Sequence, residues 1–214
     1  MYRQAYEMIR NRSYDNIVEE AEGDHMEYIQ IANVTMPVQQ PAVMIALFGA
    51  WLYVRIQYGK SFADRFSNTA FLFVIVWKFS IILFQFPLVL QAPMSILYFN
   101  GGTYGFWLGL AIALLYMYIN KMPSFKTAGA WAAIIVLYPL ALSVMAGTWT
   151  IWTITQAAGS ILFFFVAKEG LERALTLLLF WQLLFLSAEG GLFGMESFVY
   201  IIVTVYFIIW RKKT

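Results

Sequence analysis

Long apolar runs recur from about Val38 to the end of this chain, and its cationic residues are distributed unevenly among the gaps between them. After Arg12, every Lys and Arg except Lys78 lies beside one alternating set of gaps: Arg55, Lys60 and Arg65, then Lys121 and Lys126, then Lys168 and Arg173, and finally Arg211, Lys212 and Lys213. The other gaps, around Gln91 to Tyr104, Gly147 to Trp152 and Ala188 to Met195, hold no Lys or Arg. Positively charged loops stay in the cytoplasm, so this alternation predicts seven crossings with the N-terminus outside and the C-terminus inside. The expected fold is an all-α polytopic bundle, occupying residues 38–214 behind a polar acidic segment at 1–37. A bacterial plasma membrane is the expected location.

Composition agrees with a lipid environment. Charged residues make up 12% of the chain and apolar ones 61%, against about 25% charged in a soluble domain. Seven helices of about 20 residues leave only short loops and no separate globular domain. The net charge of +2 is spent on topology, and no basic run suggests nucleic acid. With no cysteine, thiolate metal sites and disulfide relays to quinones are excluded. The single histidine, His25, lies in the polar segment, which removes intramembrane His-based metal or protease centres. No metal or cofactor is expected.

The segment before the first run lacks the apolar core of a signal peptide. Translation from Met26 would leave a tail of about a dozen residues; in the longer form, Tyr2 to Arg12 is a surface helix and Asn11 to Asp24 an acidic link. The predicted helices run from about Val38 to Tyr58, Thr69 to Leu90, from after the Asn100-Gly101-Gly102 break to near Asn120, Ala128 to Ala146 with an interruption at Pro139, Thr148 to Ala167, Arg173 to Ser187 and Met195 to Trp210. Gly59 to Asn68 is expected as a cytoplasmic loop, and Ala92 to Phe99 as a segment dipping in from outside, tolerated where protein or water satisfies its backbone. Trp149, Trp152 and Trp210 are expected as interfacial anchors.

Lys78 is the one basic residue within a span, which makes it a site candidate by default and, equally, a snorkelling side chain. Gln85 shares its helix. Gln156 lies on one face with Gly159, Ser160 and Phe163, a pattern that favours packing with a glutamine bonded across to a neighbour over ligand binding. Asn100, Gly101, Gly102 and Tyr104 could offer exposed amides to a lipid phosphate, or simply cap a helix. Glu189 and Glu196 flank the last outer turn, where solvation is the simplest expectation.

Seven helices also describe microbial rhodopsins, but those need a lysine on the last helix and Met195 to Trp210 has none. The chain is more similar to the prolipoprotein diacylglyceryl transferases. The resemblance, scattered over about residues 38–214, rests on Gly49 to Arg55, Asp64, Lys78-Phe79, Pro93 before Gly101, Gly102, Gly105 and Gly109, Gln156 on the fifth helix, Gly194-Met195, and the terminal Trp-Arg-Lys-Lys. It implies that fold and a phospholipid ligand. The family's histidine in the glycine segment aligns with Tyr104. Its Gly-Arg-x-Gly-Asn-Phe-x-Asn-Gly-Glu signature falls on Leu137 to Gly147, which lacks the arginine and the glutamate, and a further arginine is replaced by residues such as Phe185. Without those cations the family's phosphate clamp cannot operate. The expected function is therefore a lipid-binding or accessory protein, with a membrane-protein partner allowed. The alternatives are a membrane acyl or diacylglyceryl transferase using Tyr104, Lys78 and Gln156, and a small transporter or channel subunit.

Overall fold

The computed structural model describes residues 28–31, 34–91, 96, 100–166, 171–188 and 190–211. Expectations for Met1 to Glu27, for the dipping segment at 92–95 and 97–99, and for Lys168, Glu189, Lys212 and Lys213 lie outside them. The one departure from an all-helical chain is a short antiparallel ribbon, β1 (Tyr28–Ile31) and β2 (Val34–Pro37), which pairs Tyr28 with Pro37 and Ile31 with Val34. It sits at the end of the acidic segment, beyond the stretch where a surface helix was expected, and leads directly into the first long helix.

That helix, α1, spans Gln39–Tyr58. Pro41 is in its first turn, where the missing N–H leaves no bond unmade. Ala42, Ala46, Ala50 and Val54 recur every fourth residue and are buried, while Phe48, Leu52 and Ile56 point outward. The expected loop after α1 shrinks to one residue. Gly59 adopts φ 81° and ψ 176°, a conformation open to glycine, and α2 (Lys60–Phe79) starts at once. Its first turns carry Lys60 and Arg65 outward because Phe62, Ala63, Phe66, Thr69, Phe73 and Trp77 form one buried helical face.

Ser80 follows, then the single turn α3 (Ile81–Phe84) and α4 (Phe86–Gln91). Gln85 is the joint, with φ −129° and ψ 41°. Two residues on, Pro87 has no N–H to give to the Leu83 carbonyl, so the helix breaks and restarts with proline in its first turn. Beyond lie α5 (Gly102–Ile119), α6 (Ser124–Ala146), α7 (Ile151–Val166), α8 (Leu171–Ala188) and α9 (Met195–Arg211). Four helical stretches are long and apolar enough to cross a membrane: Gln39–Tyr58, Lys60–Phe84, Gly102–Ile119 and Ser124–Ala146. The other three are apolar but shorter. Contrary to the expected interruption, α6 continues through Pro139.

Contacts fix the helix directions. Tyr58 lies against Gly129 and Leu137 against Gly49, so α1 and α6 are antiparallel. Phe73 meets Gly109 and Ser80 meets Gly101, so α2 and α5 are antiparallel too. Trp131 bonds Thr204 and Tyr138 bonds Glu196, which sets α9 against α6, whereas Tyr206 on Leu114 and Trp210 beside Tyr118 make α9 parallel to α5. Successive long helices therefore alternate in direction, and Arg55, Lys60, Lys121, Lys126, Arg173 and Arg211 share one end. There Lys126 Nζ sits 5.9 Å and 5.7 Å from the ring centres of Tyr58 and Phe62.

The hub is α6, which contacts α1, α7, α8 and α9. It can touch so many neighbours because its buried residues include Ala128, Gly129, Ala130, Ala132 and Ala133, small enough for close backbone approach. Large apolar side chains such as Phe71, Leu83, Phe180 and Leu184 are exposed on the outside, the pattern of a surface that meets lipid chains. Trp149 and Trp152 are exposed at the end opposite the cations. Trp210, at the cationic end, is buried against Tyr206 and Phe207.

Candidate functional site

The sequence-expected residues divide between two places. The first is the seam of α2 and α5. Gly101, Gly105 and Gly109, four residues apart, lie on Ser80, Trp77 and Phe73, and a Cβ added at Gly109 would come within 3.0 Å of the Phe73 carbonyl oxygen. The backbones are close enough for Gly101 N to donate to Trp77 O at 3.2 Å. Trp77 Nε1 returns a bond to Gly102 O at 3.2 Å, and Ser80 Oγ donates to Trp77 O at 2.7 Å.

Asn100 Oδ1 accepts from Gly102 N at 2.9 Å, so the amides of both Gly101 and Gly102, expected as exposed donors, have protein acceptors. Tyr104 is 74% exposed and rests on Phe84 at a ring separation of 5.8 Å. Lys78 is half-buried in the last turn of α2, where the carbonyl end of the helix favours a cation. Gln85 is exposed, its backbone N bonded to Ile81 O and its carbonyl accepting from Val89 N.

Gln156 belongs elsewhere. It is buried on α7 and donates from Nε2 to Gln182 Oε1 on α8 at 2.6 Å. Gln182 Nε2 donates to Ser160 Oγ at 3.0 Å and to Ile135 O at 3.3 Å. That second acceptor has a cause in the sequence: Pro139, four residues after Ile135, has no N–H, so the Ile135 carbonyl lacks its helical partner and Gln182 takes it. Ser160 Oγ and Trp181 Nε1 both donate to Gln156 O. The glutamine is thus bonded across to its neighbour α8, as its face suggested.

Above this pair lies a cavity of about 210 Å³ between α6, α7, α8, α9 and the start of α1. Gln156 and Gln182 form its floor, Thr148 is exposed at its mouth, and Ser143, Thr153, Glu196, Tyr200 and Gln39 line its walls. Asn100, Gly101, Gly102, Tyr104, Lys78 and Gln85 are not among its lining residues. Glu196, expected to be solvated, is half-buried in the first turn of α9 and accepts from the Tyr138 hydroxyl at 2.8 Å. The helix N-terminus favours its negative charge.

Two of the lining residues carry a polar atom that is buried without a hydrogen-bond partner among the described residues, Gln39 Oε1 and the Tyr200 hydroxyl, and Tyr200 is only 4% exposed. Orphaned buried polar atoms cost about 1–3 kcal/mol each. Among the described residues no group of three or more His, Cys, Asp or Glu could hold a metal ion.

Sequence reasoning missed Gln182, Gln39, Tyr138 and Tyr200. Gln182 had a signal, as a lone glutamine in the run Leu-Leu-Leu-Phe-Trp-Gln-Leu-Leu-Phe; the tyrosines had none, being two of many aromatics with no mark of which face is inward. The chain matches no protein-family model, no curated protein and no solved structure.

Proposed function

We propose that this protein crosses a bacterial plasma membrane seven times, N-terminus outside and C-terminus cytoplasmic, and binds the polar end of a membrane phospholipid in its outer cavity without transforming it. The seven crossings are supported by the alternating helix directions, which gather the basic residues at one end. At about 1.5 Å per residue, even the 16-residue α7 reaches roughly 24 Å, near the ~30 Å hydrocarbon core.

The observation that carries the binding role is a polar cavity at the end opposite the cations, walled by Ser143, Thr153, Glu196 and Tyr200 beside the Gln156–Gln182 pair. Exposed Trp149 and Trp152 belong to the same end, the depth at which indoles meet headgroups. At about 210 Å³ the space is smaller than the ~300–1,000 Å³ that encloses a drug-sized ligand. It takes one end of a molecule whose chains stay in the bilayer.

Binding is favoured over catalysis because three of the four amide hydrogens of the floor glutamines go to one another, to Ser160 and to a backbone carbonyl. The resemblance to prolipoprotein diacylglyceryl transferases fits an accessory protein on that architecture, with the phosphate-clamping cations replaced. The test is lipid extraction from the full chain purified in mild detergent. Near-stoichiometric phospholipid that falls in the Tyr200→Phe variant supports the reading; lipid-free protein that gains no thermal stability on lipid addition overturns it.

A further inference from the structure

We infer that the turn between α8 and α9 dips into the membrane, with Leu192 and Phe193 seated in the lipid leaflet at the end opposite the cations, beside the mouth of the cavity. The inference rests on the bundle crossing a bilayer, as read above, but not on a lipid inside the cavity.

The turn is built to hold these two residues out. Gly190 follows α8 at φ 77°, and Gly191 N donates back to Leu186 O at 2.8 Å. Gly194 N then donates to Gly191 O at 2.9 Å, which makes 191–194 a β-turn with Leu192 and Phe193 at its two central positions. Ser197 Oγ donates to the same Gly191 carbonyl at 3.3 Å. Turns that face water favour Gly, Pro, Asn, Asp and Ser; here stand a leucine 39% exposed and a phenylalanine 86% exposed.

A single exposed phenylalanine needs no explanation, but this one has company. The turn before α7 exposes Trp149, Ile151 and Trp152. It is fixed by a reciprocal pair of bonds, Thr150 N to Thr153 Oγ1 at 3.0 Å and Thr153 N to Thr150 Oγ1 at 3.3 Å. Trp152 meets Phe185 at a ring separation of 6.2 Å, one residue before the Leu186 that anchors Gly191. Thr148 and Thr153 from one turn and Glu196 just beyond the other line the cavity, so apolar side chains rim its mouth from two sides.

Depth decides what covers them. α9 runs from Met195, next to the turn, to Arg211, a charge that stays out of hydrocarbon. Its 17 residues span about 25 Å, against ~30 Å for the hydrocarbon core, and any tilt shortens the span across the bilayer. Even where the arginine stem snorkels, the turn comes no farther out than the headgroup layer. An exposed ring at that depth meets lipid, and a guest reaches the cavity from the leaflet.

The chain has no cysteine, so single labels can be placed at will. Phe193→Cys, carrying a nitroxide on the full chain in phosphatidylcholine vesicles, is compared for collisions with oxygen, which concentrates in lipid, and with a water-soluble nickel chelate. Leu162→Cys on the exposed side of α7 and Ser61→Cys beside Lys60 give the lipid and water references. The oxygen-to-nickel ratio at 193 should match that at 162 and exceed that at 61 by about tenfold.

Free access of nickel at 193, with 162 shielded, overturns the inference and makes the tip a surface for a partner in water. Shielding from both quenchers places the tip against protein and overturns it too. A cavity that holds no phospholipid, with the 193 label still in lipid, removes the binding role and keeps the inference. Should Phe193→Cys fail to fold, Leu192→Cys reads the same turn.

Discussion

The α2–α5 seam and the α6–α7–α8–α9 cluster are both helix contacts within one bundle, but they are closed by opposite means. Along the first, glycines bring two backbones together until an amide on one helix bonds a carbonyl on the other, and no room is left. Across the second, long amides span the gap that small residues would have closed, and a polar cavity remains above them. In a membrane, where apolar surfaces gain little by meeting one another, association comes from packing and polar bonds. The contrast shows each used nearly alone. Glycine gives proximity, and glutamine gives attachment at a distance.

The sharpest way to break the comparison is to put a side chain into the close seam. In Gly105→Leu the new Cβ would lie 3.2 Å from the Trp77 carbonyl and run into Ser80, and overpacking of this kind costs about 3 kcal/mol or more. Chemical unfolding in detergent should show that loss, whereas the same change at Gly191, where a Cβ would meet Leu186 only at ordinary distances of 3.6 Å and 3.7 Å, should be far milder. Gln182→Leu comes next. It strips partners from Gln156, Ser160 and Ile135 at once, which should cost about 1–2 kcal/mol given the modest measured worth of polar bonds between membrane helices.

A double-mutant cycle of Gln156→Leu with Gln182→Leu should come out well below additive, since one bond is shared. Removing the orphan hydroxyl in Tyr200→Phe should change stability by less than about 0.5 kcal/mol, while bound lipid falls. Smallest of all, Pro139→Ala restores an N–H to the Ile135 carbonyl, so Gln182→Leu should cost about 0.5 kcal/mol less in that background.

Much of the helical layout was legible in the sequence, because a period of 3.6 residues in apolar side chains survives burial on one face and lipid on the other. The face Phe62, Ala63, Phe66, Thr69 shows where this reading stopped short: its polar neighbours Lys60, Asp64 and Arg65 suggested a loop, though the spacing of the apolar residues was already helical. The glycines were visible as a motif. Their role was not, since the same spacing serves a phosphate nest or a close helix crossing, and only the facing residues Trp77 and Ser80 decide.

Gln156 was found and Gln182 was not, although the two lie at roughly equal distances on either side of the connection at 167–170, the relation expected of partners in an antiparallel helix pair. The cavity was the least legible part. It draws on α1, α6, α7, α8 and α9, and no local pattern records that Gln39, Glu196 and Tyr200 converge.

One consequence of the hub helix concerns how the chain is made. The small-residue face of α1, Ala42 to Val54, packs on α6, and everything between Gly59 and Pro123 must leave the ribosome before that partner exists. At about 5–20 residues per second the wait is of the order of ten seconds. During it α1 has α2 for company through the single-residue turn at Gly59, and lipid covers the rest. Because that waiting face is alanine and valine, with no buried polar group to leave unsatisfied, the nascent protein can pause half-assembled in the bilayer at little energetic risk.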